Sequence, residues 1–186
     1  DLVDRIARLH GDPIVWWVSQ FLMYMLRPQP HLRAMLRATE ENFKFEHPIV
    51  GVHIRRTDKV TNVLIEDKIQ HKSCQVGTEA AFHSVEEYMT HVLEWFRKQK
   101  LTNPEVKVRV YVASDEPRVL GECRKKYPDV EFLGDQDIAR SAAVSSRYSD
   151  SSLRGVIQDI HLLSLTDHLV CTFSSQVQMY YKKCCL

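Results

Sequence analysis

Ile49-Val50-Gly51-Val52-His53-Ile54-Arg55-Arg56-Thr57-Asp58-Lys59 is the stretch from which the fold can be read. Its first half is a short apolar run rich in β-branched residues, the signature of a strand buried on both faces. Its second half is a dense run of charged and hydroxyl groups that starts where the strand stops. Outward from it, three more strands are predicted. Val106 to Ala113 alternates before Ser114-Asp115-Glu116-Pro117, Val130-Glu131-Phe132-Leu133 is shorter, and His168-Leu169-Val170-Cys171-Thr172 is the fourth. Between them the spacing predicts helices at about Ser84–Lys100, Pro117–Lys126 and Ser152–Leu165. The last carries Leu153, Val156, Ile157, Ile160 and Leu163 on one stripe. Strands separated by helices this long imply right-handed crossovers, hence an α/β, Rossmann-like parallel sheet. On such a sheet ligands bind beyond the carboxyl ends of the strands. That directs attention to the polar loops His53–Lys59, Ser114–Pro117 and Thr172–Gln176.

The residues before this sheet have a different character. Leu2, Ile6 and Leu9 interleave with Asp4, Arg5 and Arg8 at helical spacing. Gly11-Asp12-Pro13 then punctuates, with Asp12 suited to a cap and Pro13 to a first helical position. Ile14-Val15-Trp16-Trp17-Val18 with Phe21, Leu22 and Met25 reads as a buried helix that Pro28 and Pro30 end. Leu32, Met35 and Leu36 begin another, running to about Thr39. The predicted division is therefore a helical segment over 1–45 followed by a Rossmann-like domain over 46–186.

Composition narrows the function classes. The chain has 186 residues, of which 44% are hydrophobic, enough for a core without staples. Its net charge of +1 gives no global pull toward nucleic acid or an acidic membrane. The longest apolar stretch, Ile14 to Leu26, includes Ser19 and Gln20 and is too short to cross a bilayer. There is no start Met, no opening signal peptide and no Asn-x-Ser/Thr sequon, so the chain reads as an excerpt from a longer one. Cys74, Cys123, Cys171, Cys184 and Cys185 form no Cys-x-x-Cys pair and are expected to be idle thiols. They leave the redox compartment open.

Arg55 and Arg56 carry the chemical argument. A basic pair can be plain solvated surface, but at the mouth of a parallel sheet two guanidiniums can fork a phosphate. Neither Gly-x-Gly-x-x-Gly nor Gly-x-x-x-x-Gly-Lys-Ser/Thr occurs. A diphosphate would be held instead by side chains and by a helix start such as Thr172-Phe173-Ser174-Ser175-Gln176. Other candidates have two readings each. His53 can be a core histidine, Asp159 a solvated helix residue, Tyr88 helix core, and Asp115-Glu116-Pro117 an ordinary cap.

Longer blocks add a resemblance. His53 through Lys59, Val76-Gly77-Thr78-Glu79-Ala80-Ala81-Phe82-His83, Glu86-Glu87-Tyr88-Met89, Ser152 through His161 and Leu169 through Val177 closely resemble the α-1,6-fucosyltransferase family, enzymes that add core fucose to N-glycans. His10-Gly11-Asp12-Pro13, Trp16-Trp17-Val18-Ser19-Gln20 and Arg27-Pro28-Gln29-Pro30 resemble it too. The resemblance implies the donor-binding half of a GT-B-like glycosyltransferase, preceded by part of its first catalytic lobe. It also implies inverting, metal-independent transfer of fucose from GDP-fucose to the 6-hydroxyl of the innermost N-acetylglucosamine of an N-glycan or glycoprotein. No cofactor, metal or nucleic acid is implied. By position, His53 and Asp159 would read the guanine edge and Arg55 would neutralise the diphosphate, with Ser175 and Gln176 assisting. Arg56 would support the donor loop, Glu79 would be the general base, and Lys59 a cation serving base and pyrophosphate. Asp58, Tyr88 and Asp115 would complete the donor site, with Glu116 where the family has a second Asp. A Golgi-lumen location, and a membrane anchor in the full-length protein only, rest on the same resemblance.

The sequence departs from that pattern twice. In the family the Asp-Lys-Val turn runs almost directly into Gly-Thr-Glu, whereas here about sixteen residues, Thr61 to Val76, intervene. After Val177 the family carries a Cys paired with the one at Cys171; here Gln178 stands, and the closing elements are absent. Two further readings follow. The chain could be a GDP- or GDP-fucose-binding remnant with impaired turnover, or a GDP-sugar transferase with another acceptor.

Overall fold

The computed structural model describes residues 1–10, 13–25, 27–56, 61–65, 68–72, 83–142 and 148–171. Three helices come first: α1 (Leu2–His10), α2 (Pro13–Met25) and α3 (Pro30–Phe43). Pro30 suits the start of α3, where an N–H has no helical partner anyway. Lys44 closes it in the left-handed region (φ 46°), its N–H returning to the carbonyls of Glu40 and Glu41. This closure carries α3 past the expected Thr39, so that Phe43 and Phe45 reach the core. No helix among the described residues is long and apolar enough to cross a membrane.

The expected sheet follows, built from β1 (Val50–Ile54), β4 (Arg109–Ser114), β5 (Glu131–Leu133) and β6 (His168–Cys171). All neighbours are parallel in the order β5-β4-β1-β6, with Val50 opposite both Val110 and His168. Two strands not foreseen, β2 (Thr61–Ile65) and β3 (Lys68–Lys72), pair antiparallel as a separate hairpin between Lys59 and Gly77. β4 starts three residues later than predicted because the Val106 N–H is drawn back to the Asn103 carbonyl after the preceding helix ends. At the short outer strand β5, Arg109 bridges Glu131 (2.8 Å) and Glu46 (2.5 Å).

Alternation along the strands sends side chains to opposite faces. Val50, Val52, Ile54, Val110, Val112 and Val170 face α4 (Val85–Thr102) and α5 (Arg118–Lys126), which return Met89, Val92, Phe96, Val119 and Leu120. Ser84 opens α4 with a reciprocal capping box to Glu87. On the other face Ile49, Tyr111, Ala113, Leu169 and Cys171 meet Leu162 and Leu163 of α7 (Asp150–Leu165) and the Phe43–Phe45 end of α3. A short helix absent from the sequence expectations, α6 (Gln136–Ser141), precedes α7. Asp135 caps it, accepting from the N–H groups of Asp137 and Ile138. Six residues with two buried positions are too few to show a helical period. Cys123 and Cys171 are buried, and burial pushes the Cys123 thiol up to about 11. Cys74, Cys184 and Cys185 lie outside the described residues.

Gly51 sets how closely α7 can approach β1. A Cβ there would stand 2.9 Å from Leu163 Cδ2 and 2.9 Å from Thr166 Oγ1. Gly51→Ala is therefore expected to lower stability by about 1–3 kcal/mol, the usual cost of overpacking, measured by urea unfolding. An unchanged midpoint would show that this contact is not tight.

Candidate functional site

Helices α4 and α5, which follow β1 and β4, cover one face of the sheet, and α7, which leads into β6, covers the other, so the strand order reverses at the carboxyl end of β1. A crevice opens at such a switch. Here it is a cavity of about 290 Å³ whose polar lining comes from His53, Arg55, Ser114, Asp115, Ser152 and Asp159. Ile138 and Ala142 of the α6 region and Leu153, Val156, Ile160 and Leu163 of α7 supply the apolar wall.

Asp115 organises the mouth. Leaving β4, its Oδ1 accepts from the Arg56 backbone N–H at 2.8 Å, and its Oδ2 stands 3.9 Å from Arg55 Nε. One carboxylate thereby joins the ends of two neighbouring strands. The two arginines then part company. Arg56 turns to α5, donating to Glu122 Oε2 at 2.9 Å, with Glu116 Oε2 at 3.6 Å. Glu122 also pairs with Lys126 at 2.8 Å, and Lys126 with Glu86 of α4 at 2.6 Å. Burial opposes ionisation of Glu122, but hydrogen bonds from Lys126 and Arg56 prevail and hold its carboxyl below the usual range. Arg55 keeps its side chain 28% exposed and lines the cavity.

Two titratable groups in the cavity are displaced in opposite directions. Burial pushes His53 down to about 4, against the pull of Asp115 and with a further push from Arg55. The imidazole is thus neutral at pH 7, and its buried Nδ1 has no hydrogen-bond partner among the described residues. An unsatisfied buried polar atom is uncommon, and this one belongs to a residue that lines the cavity. Burial likewise raises Asp159 to about 7; a hydrogen bond from Tyr111 opposes the rise and Asp135 adds to it. The Tyr111 hydroxyl donates to Asp159 Oδ1 at 2.7 Å. Carboxylates held this far from their ordinary range concentrate at functional sites.

Of the residues singled out from sequence, His53, Arg55, Asp115 and Asp159 therefore share one cavity. Arg56 and Tyr88 do not line it. Arg56 is tied to α5, and Tyr88 is packed into the α4 core beside Met89 and Val92. Asp58, Lys59, Glu79, Ser175 and Gln176 lie outside the described residues. Ser114 opens one of the strand-end loops singled out from sequence, whereas Tyr111, Ile138 and Ser152 were not foreseen as part of the site. The signal for Tyr111 was its place one residue out of phase with Val110 and Val112, on the face shared with His53. Among the described residues no group of three or more His, Cys, Asp or Glu could hold a metal ion.

Fold and crevice together define a class: a Rossmann-like domain of the GT-B kind, with its polar residues gathered at the carboxyl ends of the strands. A crystal structure of POFUT1 in complex with GDP has the same fold, at a TM-score of 0.50 and 12% identity, over 83% of this chain and 42% of that one. The model of the alpha-(1,6)-fucosyltransferase N- and catalytic domains matches residues 1–182, and the chain belongs to that family. It is 54% identical over 177 residues to the alpha-(1,6)-fucosyltransferase of Drosophila melanogaster, covering 95% of this chain and 26% of the relative. With that of Caenorhabditis elegans it shares 38% identity over 178 residues, 95% of this chain and 29% of the relative. The chain spans about a quarter of the length of these curated relatives.

The buried Asp159 has a consequence for stability. Its native value near 7 lies above the ordinary 3.8, so folding favours the protonated form. The resulting destabilisation is absent below about pH 4, grows as pH rises and is complete above about pH 7. Asp159→Asn removes it. The variant is expected to match the parent near pH 4 and to exceed it at pH 8 by an amount of order 1–4 kcal/mol. Thermal unfolding at the two pH values checks this, and equal differences at both would contradict it.

Proposed function

We propose that this chain carries the donor-binding half of an α-1,6-fucosyltransferase. It transfers fucose from GDP-fucose to the 6-hydroxyl of the innermost N-acetylglucosamine of N-glycans, with inversion and without a metal ion, in the Golgi lumen. Residues 46–186 form the GDP-fucose-binding domain and 1–45 belong to the first catalytic lobe. The observation that carries the reading is that His53 and Arg55, at the end of β1, line one cavity at the sheet's carboxyl edge together with the sequence-distant Asp159 of α7. Membership of the family supports the reaction type.

Each role follows from the group's chemistry. A guanine presents adjacent N–H donors, which the Asp159 carboxylate accepts once ionised. The neutral His53 supplies a buried ring nitrogen for a further contact with the base or ribose. Cleavage of the fucosyl–phosphate bond leaves negative charge on the β-phosphate oxygen. A guanidinium about 4 Å away, at an effective dielectric near 20, offsets on the order of 4 kcal/mol of that cost. Arg55 is that cation, aimed by Asp115; Lys59, Asp58, Ser175 and Gln176 complete the diphosphate site. Arg56, held by Glu122, supports the donor loop, and Tyr88 is a secondary donor-site residue. Glu79 removes the proton of the acceptor hydroxyl as it attacks, a contribution of roughly 10²- to 10⁴-fold.

A second reading is favoured by one feature. The β2–β3 hairpin stands between Lys59 and Glu79, and displacing a base by an ångström can cost about 100-fold. On that reading the chain binds GDP or GDP-fucose without turning it over. Acceptor choice is a separate matter, and a GDP-sugar transferase with another acceptor would bind the donor equally well.

Calorimetric titration with GDP, beside transfer assays on a biantennary glycopeptide with and without EDTA, separates these readings. GDP binding with EDTA-insensitive transfer is the expected result, and binding without transfer favours the second reading. Arg55→Ala is expected to weaken GDP binding by about 10- to 100-fold, the worth of charge-assisted bonds to phosphate. Undiminished affinity would overturn both.

A further inference from the structure

We infer that Tyr111 is a positioning residue for Asp159, and that α3 braces it. Through Tyr111, the helix before the sheet fixes the orientation of the carboxylate that faces the base. The inference rests on the proposed reading of the cavity as a GDP site and adds to it a residue and a helix outside the cavity lining.

The geometry runs from the rings outward. Tyr111 lies mid-strand on β4 and is wholly buried. Its ring sits edge-on to Phe43 (5.8 Å between centroids, 83° between planes) and to Phe45 (5.9 Å, 61°). Both phenylalanines stand at the carboxyl end of α3, which the left-handed Lys44 turns toward the sheet. Clamped rings have few rotamers, so the phenol oxygen is held in place before any ligand arrives. From there it donates to Asp159 Oδ1 at 2.7 Å. A carboxylate oxygen can accept twice, so this bond sets the carboxyl torsion without consuming the group's capacity for a base.

The same helix holds α7 on both sides of Asp159. Gln158 Nε2 donates to Thr39 Oγ1 at 2.8 Å, and His161 Nε2 pairs with Glu40 Oε1 at 2.5 Å. Rotation of α7 about its own axis would swing Asp159 out of register, and these two contacts resist it. The side-chain torsion and the helix rotation are thereby fixed from a single source.

The hydroxyl also governs charge. Tyr111 from β4 and Asp135 at the start of α6 act on Asp159, and His53, Arg55 and Asp115 from the strand ends line the same cavity. Tyr111 is the hydrogen-bond donor to its ionised form, so removing the hydroxyl moves the carboxyl further up and leaves fewer molecules competent for the base at neutral pH.

Tyr111→Phe in the complete chain tests this, since the ring and its packing remain. Two measurements are made: the titration of the ¹³C-labelled Asp159 carboxyl by NMR without ligand, and the affinity for GDP across pH 6–9. The signal is assigned by its loss in Asp159→Asn. The expected result is a midpoint raised by about one pH unit and GDP affinity lowered about fivefold at pH 7, with recovery toward pH 9. A role in packing alone would weaken binding equally at every pH and leave the midpoint in place; that outcome overturns the inference. Phe45→Leu, which keeps the hydroxyl but loosens its ring, is the second variant and should give a smaller rise in the same direction. If Asp159→Asn binds GDP as tightly as the parent, the base-reading role itself is wrong. If Asp159→Asn loses binding while neither Tyr111→Phe nor Phe45→Leu moves the midpoint, only the positioning role is wrong.

Discussion

The contact on which the rest of the site depends is that of Asp115 with the exit of β1. Parallel strands end side by side, but nothing in a parallel ladder dictates where the chain goes afterwards. Asp115 supplies that direction by accepting the Arg56 N–H and standing beside Arg55 Nε. Once the backbone is caught there, the two guanidiniums are sent different ways. Arg56 goes to the carboxylates of α5, and Arg55 to the cavity. Adjacent cations that would otherwise repel are each given a carboxylate neighbour. The loop that follows therefore starts from a rigid point.

The cavity is built against the preferences of its own residues. A neutral histidine with an unsatisfied nitrogen and a carboxylate titrating near neutrality both reduce folding stability. The cores on the two faces of the sheet offset this, with Phe96, Met89 and Val92 on one side and Leu162, Leu163 and Tyr111 on the other. The polar strain of His53 and Asp159 sits on the α7 face, where a ligand can relieve it. The α4 face stays apolar and serves as the foundation.

Much of this was legible in the sequence, for identifiable reasons. Val50–Ile54 is buried on both faces, so its apolar run needs no partner to be recognised as a strand, and Val110–Ala113 is similar. The strand-end rule then pointed to the loops that hold His53, Arg55 and Asp115, while the roles of His53 and Asp115 came from the family resemblance. Asp159 was harder, because a single acid on a helix is ambiguous until its neighbours are known. Its neighbour Tyr111 is 48 positions away and became visible only when β4 and α7 were set side by side. The six-residue α6 escaped because it is too short to show a helical period. Arg56 and Tyr88 illustrate the opposite limit: a motif marks positions that matter without saying whether they line the cavity or support it.

The outer rim of the sheet has its own significance. β5 is three residues long, and the ion pairs of Arg109 with Glu131 and Glu46 crowd its end with charge. An open strand border is a template for stray chains. A border this brief and this heavily charged offers an incoming strand little to zip onto. On that side the molecule is guarded against growing into a larger, insoluble sheet.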